Sequence, residues 1–237
     1  MPSSPSGRED SRAYDWPAHP HGATEAKVVG VLEQLGIVPV VELRTAGDAG
    51  PLLEALSAAG LPVAEITLRT AAALEAITAT RATHPNALVG AGTVRSIDDA
   101  RRVIEAGAQF VVSPATNPDV VAYCASRAVL MMPGACTPTE VDAAVRAGAA
   151  VVKFFPAEAI GGLPFLKALS APFNDVRFVP TGGVNASNLA DYLRVPQVIA
   201  CGGSWMVNPL LLEQRRFGEV EALAREAVEI VADVRNV

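Results

Sequence analysis

Eight short apolar runs, each followed by an alanine-rich segment of helical periodicity, predict a closed (β/α)8 TIM barrel with an extra N-terminal helix. Two further observations support that α/β class. The runs recur about 20 to 26 residues apart along a chain of 237 residues. That length suits one α/β barrel with one well-filled core, and half of the residues are hydrophobic. The runs are 37–43, 63–68, 88–94, 110–114, 129–134, 151–156, 176–181 and 198–204. Valine and isoleucine are prominent among them, as β-strands prefer. A doubly wound open sheet is the runner-up. It usually has fewer strands, and here no GxGxxG opens the first turn. The GAGT at 90–93 arrives at the third strand with the wrong continuation for a dinucleotide.

The leading helix is expected near 24–35, and the barrel domain over 25–237. Helix starts are expected at Asp98 and Asp99, Asn117 before Pro118, Thr137 before Pro138, and Ser187, whose side chains can cap free N–H groups. Gly36, Gly60, Gly107 and Gly148 fall where helices should end. Residues 1–24 read differently. They are rich in Ser, Pro, Gly, Asp and His and carry no apolar stretch, so they predict a disordered N-terminal extension and neither a signal peptide nor an anchor. His19 and His21 are weak metal candidates in that tail.

Charge and cysteine usage exclude several classes. A net charge of −6 without a basic cluster argues against nucleic acid as a partner. No run of about 18 apolar residues occurs, so no membrane span is expected. Cys124, Cys136 and Cys201 are widely spaced and odd in number, which predicts reduced, buried thiols in a cytoplasmic protein and no zinc site.

The chemistry is expected at the C-terminal ends of the strands. Lys153 lies inside the apolar run AVVKFFP, and the chain has only three lysines among its 19 cationic residues. Arginine cannot lose its proton in a protein, whereas a desolvated lysine can, and its free amine attacks ketones to form an imine. The competing reading is a lysine whose stem packs in the core while its head reaches water. On the second strand Glu65, Thr67 and Arg69 alternate onto one face. They point into a site or form a structural Glu–Arg pair. Imine chemistry needs a nearby acid/base, and Glu65 is the best candidate. His84, the only histidine beyond the tail, precedes the third strand at the wrong end of the barrel.

Paired glycines follow strands seven and eight, in TGGV (181–184) and CGGSW (201–205). Glycine lets backbone N–H groups approach an anion, and these loops are a recurrent phosphate site of the fold. Tight turning alone is the alternative. The GGLP loop at 161–164 is a weaker contributor.

Taken together, EITLRT (65–70), VGAGTV (89–94), PGACTPTE (133–140), KFFPAE (153–158), PTGGV (180–184) and GGSW (202–205) resemble the 2-keto-3-deoxy-6-phosphogluconate (KDPG) and 4-hydroxy-2-oxoglutarate aldolase family. The resemblance spans about residues 25–235. It implies a class I lyase without metal or other cofactor, acting on a phosphorylated keto acid and pyruvate in the Entner–Doudoroff pathway, as a homotrimer. By motif position it implies Lys153 as the Schiff-base lysine and Glu65 as the general acid/base. Arg69 and Thr93 would hold the pyruvyl carboxylate, Thr181 would lie beside the substrate, and Phe155 would form an apolar wall. Gly182, Gly183, Gly203 and Ser204 would meet the phosphate. A sister aldolase preferring 4-hydroxy-2-oxoglutarate or the 6-phosphogalactonate epimer would share these residues. Glu42 and Arg44 fall at a position that varies in the family, and Arg44 is a candidate extra phosphate contact.

Overall fold

The computed structural model of the chain describes residues 23–235. The expected disordered extension lies outside them, His19 and His21 included, apart from Ala23 and Thr24, which open the leading helix Ala23–Leu35. The fold is α/β and is built on a curled, parallel-stranded sheet. Its strands are β1 (Ile37–Val41), β2 (Val63–Thr67), β3 (Leu88–Gly92), β4 (Phe110–Val112) and β5 (Leu130–Met132), followed by β6 (Gly134–Ala135), β7 (Val151–Phe154), β8 (Arg177–Pro180) and β9 (Cys201–Gly203). All pairings are parallel. One ladder runs β5-β4-β3-β2-β1-β9 and another β6-β7-β8. Parallel strands are covered by helices on their outer face, which is why β2, β3 and β7 are buried along their whole length and read as unbroken apolar runs.

Nine strands are described where eight runs were expected. Pro133 makes the difference. It has no N–H to give a ladder, and it interrupts the run 129–134 between β5 and β6. Its carbonyl still accepts the Lys153 N–H at 2.9 Å, so the broken run stays tied to β7. Bridges Phe178↔Val198 and Thr181↔Gly202 link the β8 region to the β9 region.

The turn chemistry mostly follows the sequence. Asn117 accepts from Asp119 N–H at 3.1 Å, with Pro118 opening the helix Pro118–Ser126. Thr137 and Glu140 exchange hydrogen bonds in a capping box at the start of Pro138–Arg146. Two expected starts shift. Ser96, not Asp98 or Asp99, caps Ile97–Glu105, and the two aspartates sit in its first turn, where the helix dipole favours them. Ser187 instead gives its N–H to Asn185, and Leu189–Leu193 begins after Asn188. Gly36, Gly60, Gly107 and Gly148 all end helices with φ between +66° and +100°.

Candidate active site

Lys153 is almost fully buried. The residue is 6 % exposed and Glu65 is 3 % exposed. The Lys153 Nζ donates to Glu65 Oε1 at 3.4 Å, across 88 residues of sequence. Two charges taken out of water are expensive unless each compensates the other, and removing one partner of such a pair costs about 3–5 kcal/mol. The ammonium also lies 5.3 Å from the centre of the Phe155 ring. The lysine head turns to Glu65 on the cavity wall and not out to the protein surface.

Register explains how Glu65 fits. Glu65 pairs with Gly90 and Thr67 with Gly92 along β2–β3. A Cβ on Gly92 would collide with the Glu65 carboxylate. The glycine is thus what makes room for the acid. The next residue, Thr93, has φ +62°, a left-handed conformation that costs a non-glycine residue about 1 kcal/mol or more.

These side chains border a cavity of about 340 Å³. Nine of the ten expected site residues line it: Glu65, Arg69, Thr93, Lys153, Phe155, Thr181, Gly182, Gly183 and Ser204. Gly203 does not. Successive strand residues face opposite sides, so Gly202 lines the cavity while Gly203 packs against the Trp205 ring. Thr67, expected on the same face as Glu65 and Arg69, lines it as well, and so do Val40, Pro114 and Val184, which were not assigned from sequence.

The two ends of the cavity differ in construction. At one, the half-exposed Arg69 donates its Nε–H to Thr67 Oγ1 at 3.3 Å and pairs through Nη1 with Glu42 Oε2 at 3.1 Å. Thr67 in turn donates to the Val41 carbonyl at 2.8 Å, which locks this relay to β1. Any anion placed beside Arg69 would share it with Glu42. At the other end, Gly182 and Gly183 have φ +99° and +87°, conformations that a side chain would strain. Thr181 fills the space a Cβ on Gly202 would need.

Three other expectations concern residues that do not line the cavity. Arg44 pairs with Glu213 at 2.9 Å and is not among the residues lining the cavity. His84 ends the helix Ala73–Thr83, half-buried, against the Thr83 hydroxyl. Cys124 and Cys201 are buried, and burial pushes the Cys124 thiol up to about 12, but Cys136 is only half-buried. Among the described residues no group of three His, Cys, Asp or Glu could hold a metal, and no helix is long and apolar enough to cross a membrane.

Comparison with known proteins fits this geometry. The family described as "Aldolase: KDPG and KHG aldolase" matches residues 28–223. A 2-dehydro-3-deoxy-phosphogluconate aldolase of Treponema pallidum is 46 % identical over 200 residues, 84 % of this chain and 95 % of that protein. The KDPG aldolase of Legionella pneumophila, solved with pyruvate captured at low pH as a covalent carbinolamine intermediate, superposes with a TM-score of 0.81 at 36 % identity, covering 84 % of this chain and 97 % of that one. The Zymomonas mobilis ZM4 enzyme, solved with 3-phosphoglycerate, gives 0.79 at 37 % identity, covering 85 % and 95 %. The chain belongs to the KDPG and KHG aldolase family.

Proposed function

We propose that this protein is a class I aldolase that cleaves 2-dehydro-3-deoxy-6-phosphogluconate to pyruvate and glyceraldehyde 3-phosphate. The observation that carries the reading is the buried Lys153–Glu65 pair, 3.4 Å apart on the wall of a cavity. An amine beside a carboxylate, away from bulk water, is what imine formation requires. The covalent carbinolamine in the Legionella relative supports the same chemistry here.

Glu65 takes a proton from Lys153, and the free amine attacks the C2 ketone. Glu65 returns the proton to the carbinolamine oxygen and relays a second one from the nitrogen to it, so water leaves and an iminium forms. Glu65, again a carboxylate, takes the C4 hydroxyl proton, the C3–C4 bond breaks, and the iminium receives the electron pair as an enamine. Glyceraldehyde 3-phosphate departs. The enamine takes a proton at C3, and water releases pyruvate from Lys153. The iminium is the electron sink, so the step needs no metal. Arg69 and Thr93 hold the pyruvyl carboxylate, Phe155 forms an apolar wall, and Thr181 lies beside the reacting carbons. Gly182 and Gly183 meet the phosphate with backbone N–H groups. Gly203 and Ser204 contribute through the turn that follows Gly202.

The same reading extends to the whole molecule. The ladders and the bridges between β8 and β9 support a closed eight-stranded barrel, with β5 and β6 counting as one broken strand. Residues 25–237 form the catalytic domain behind a disordered extension. The protein works as a cytoplasmic homotrimer in the Entner–Doudoroff pathway, on the strength of its family.

Borohydride added in the presence of pyruvate should leave a covalent mass on Lys153, located by peptide mass spectrometry. A folded protein that gives no adduct would falsify the Schiff-base mechanism. A lactate dehydrogenase-coupled assay with the gluconate, its galactonate epimer and 4-hydroxy-2-oxoglutarate side by side should show the phosphorylated gluconate preferred. Preference for either of the others assigns the chain to a sister activity.

A further inference from the structure

The mechanism leaves one side chain next to the glycine loop unused. Glu158 lies four residues beyond β7 and is not among the residues lining the cavity. Its backbone N–H donates to the Gly182 carbonyl at 2.9 Å, and the Ala157 N–H donates to the Thr181 carbonyl at 2.8 Å. In a trans peptide the C=O and N–H point in opposite directions. With both carbonyls turned toward 157–158, the N–H groups of Gly182 and Gly183 point away from that segment. The Glu158 stem completes the support. A Cβ on Gly183 would lie 2.5 Å from Glu158 Cγ and 2.6 Å from its Cβ. A Cβ on Gly162 would come to 3.0 Å from Glu158 Oε1 and 3.4 Å from the Tyr192 hydroxyl.

The Glu158 carboxylate is itself held. It accepts a hydrogen bond from the Tyr192 hydroxyl. Tyr192 sits on Leu189–Leu193 and is 1 % exposed, so its ring is anchored in the core. Burial, with the carboxylate beside it, pushes the hydroxyl well above its ordinary range, so it keeps the proton it donates. A charge-assisted bond of this kind is among the stronger side-chain contacts.

We infer that Glu158 and Tyr192 are a positioning pair for the phosphate end of the site. Tyr192 fixes the Glu158 side chain against the core, and Glu158 fixes the Gly182–Gly183 backbone so that its N–H groups stay aimed at the anion. The inference rests on the proposal that these glycines take the phosphate. Neither residue touches substrate.

The test uses the full chain with Tyr192→Phe, Glu158→Ala and Glu158→Gln. Two readouts are compared: KM for 2-dehydro-3-deoxy-6-phosphogluconate, and the concentration of pyruvate, which has no phosphate, that half-saturates borohydride trapping. Tyr192→Phe and Glu158→Ala should each raise KM about tenfold, while pyruvate trapping moves by less than about twofold. The double variant should be no worse than Glu158→Ala alone, because both act along one path. Glu158→Gln keeps an acceptor and the same stem, and should stay within about threefold of wild type. An unchanged KM in Tyr192→Phe and Glu158→Ala overturns the pair's role. So does an equal loss in both readouts, which would mean general damage. If Glu158→Ala fails to fold, Tyr192→Phe decides alone, since it deletes one hydroxyl and keeps the ring. A wild-type protein that neither cleaves the substrate nor traps pyruvate overturns the aldolase reading and this inference together. One that does both, beside variants with unchanged KM, overturns the pair alone.

Discussion

The Lys153–Arg69 end of the cavity is built from side chains and the opposite end from backbone. At the first, Lys153, Glu65, Arg69 and Glu42 form two ion pairs, at 3.4 Å and 3.1 Å. At the second, Gly182 and Gly183 carry no side chain, and shape comes from carbonyls tied to residues 157 and 158. The difference teaches that the two ends fail differently. Side-chain charges act at short range and are lost one atom at a time. A backbone cradle is lost only when its support moves.

Glu65→Gln should break the first end most severely. Proton transfer by a positioned carboxylate contributes roughly 10²–10⁴-fold, so kcat should fall by that order while pyruvate binding survives. The coupled assay and a pyruvate titration read the two quantities, and full activity would remove Glu65 from the mechanism. Gly92→Ala sharpens the same point without changing any charge. Its Cβ meets the Glu65 carboxylate, and a shift near 1 Å can cost about 10²-fold in rate. Stopped assays should find kcat lowered by about that factor and KM for the phosphorylated substrate little moved; a variant as fast as wild type would mean that Glu65 tolerates displacement.

Glu42→Gln tests the pair that flanks Arg69. Because the pair is part-exposed, its worth is small, and freeing Arg69 should tighten pyruvate binding about two- to threefold. Weaker binding in the trapping titration would show that Glu42 orients Arg69 more than it competes. Glu140→Gln is the smallest effect and touches neither end. Backbone N–H groups of Cys136 and Thr137 hold the Glu140 carboxyl below its ordinary value of 4.5. The sign follows from linkage. A lowered folded value gives stability that is present above the ordinary carboxylate range and is lost as pH falls through the lowered value. Thermal melts at neutral pH should place the variant about 0.5–1 kcal/mol below wild type, as for a lost cap on a screened surface. The gap should close in acid. A gap that persists there would assign it to packing.

The same contrast governs what the sequence makes legible. Lys153 and Glu65 stand out because a charge within an apolar strand is costly and needs a reason. The doubled glycines at 182–183 stand out for a similar reason, since two adjacent residues without side chains are seldom neutral. Gly92 gives no such signal. Its meaning depends on lying across the β2–β3 ladder from Thr67, next to the Glu65 side chain. Thr93 looks like any strand-end threonine until its φ is known. The choice between Gly202 and Gly203 turns on strand phase, where one step flips the face. Glu158 and Tyr192 are 34 residues apart, and nothing local links them. Eight runs predict the succession of parallel strands well because periodicity is local. Only the break at Pro133 changes the strand count, and that proline was visible inside the fifth run.

The burial of Lys153 also bears on how the protein can be handled. Its other two lysines, Lys27 and Lys167, are both exposed on helices. A bulky lysine-directed reagent therefore meets two surface handles, while the third amine is recessed on the wall of the cavity. The chain can be tethered to a support or a dye through Lys27 or Lys167 in preference to the recessed Lys153.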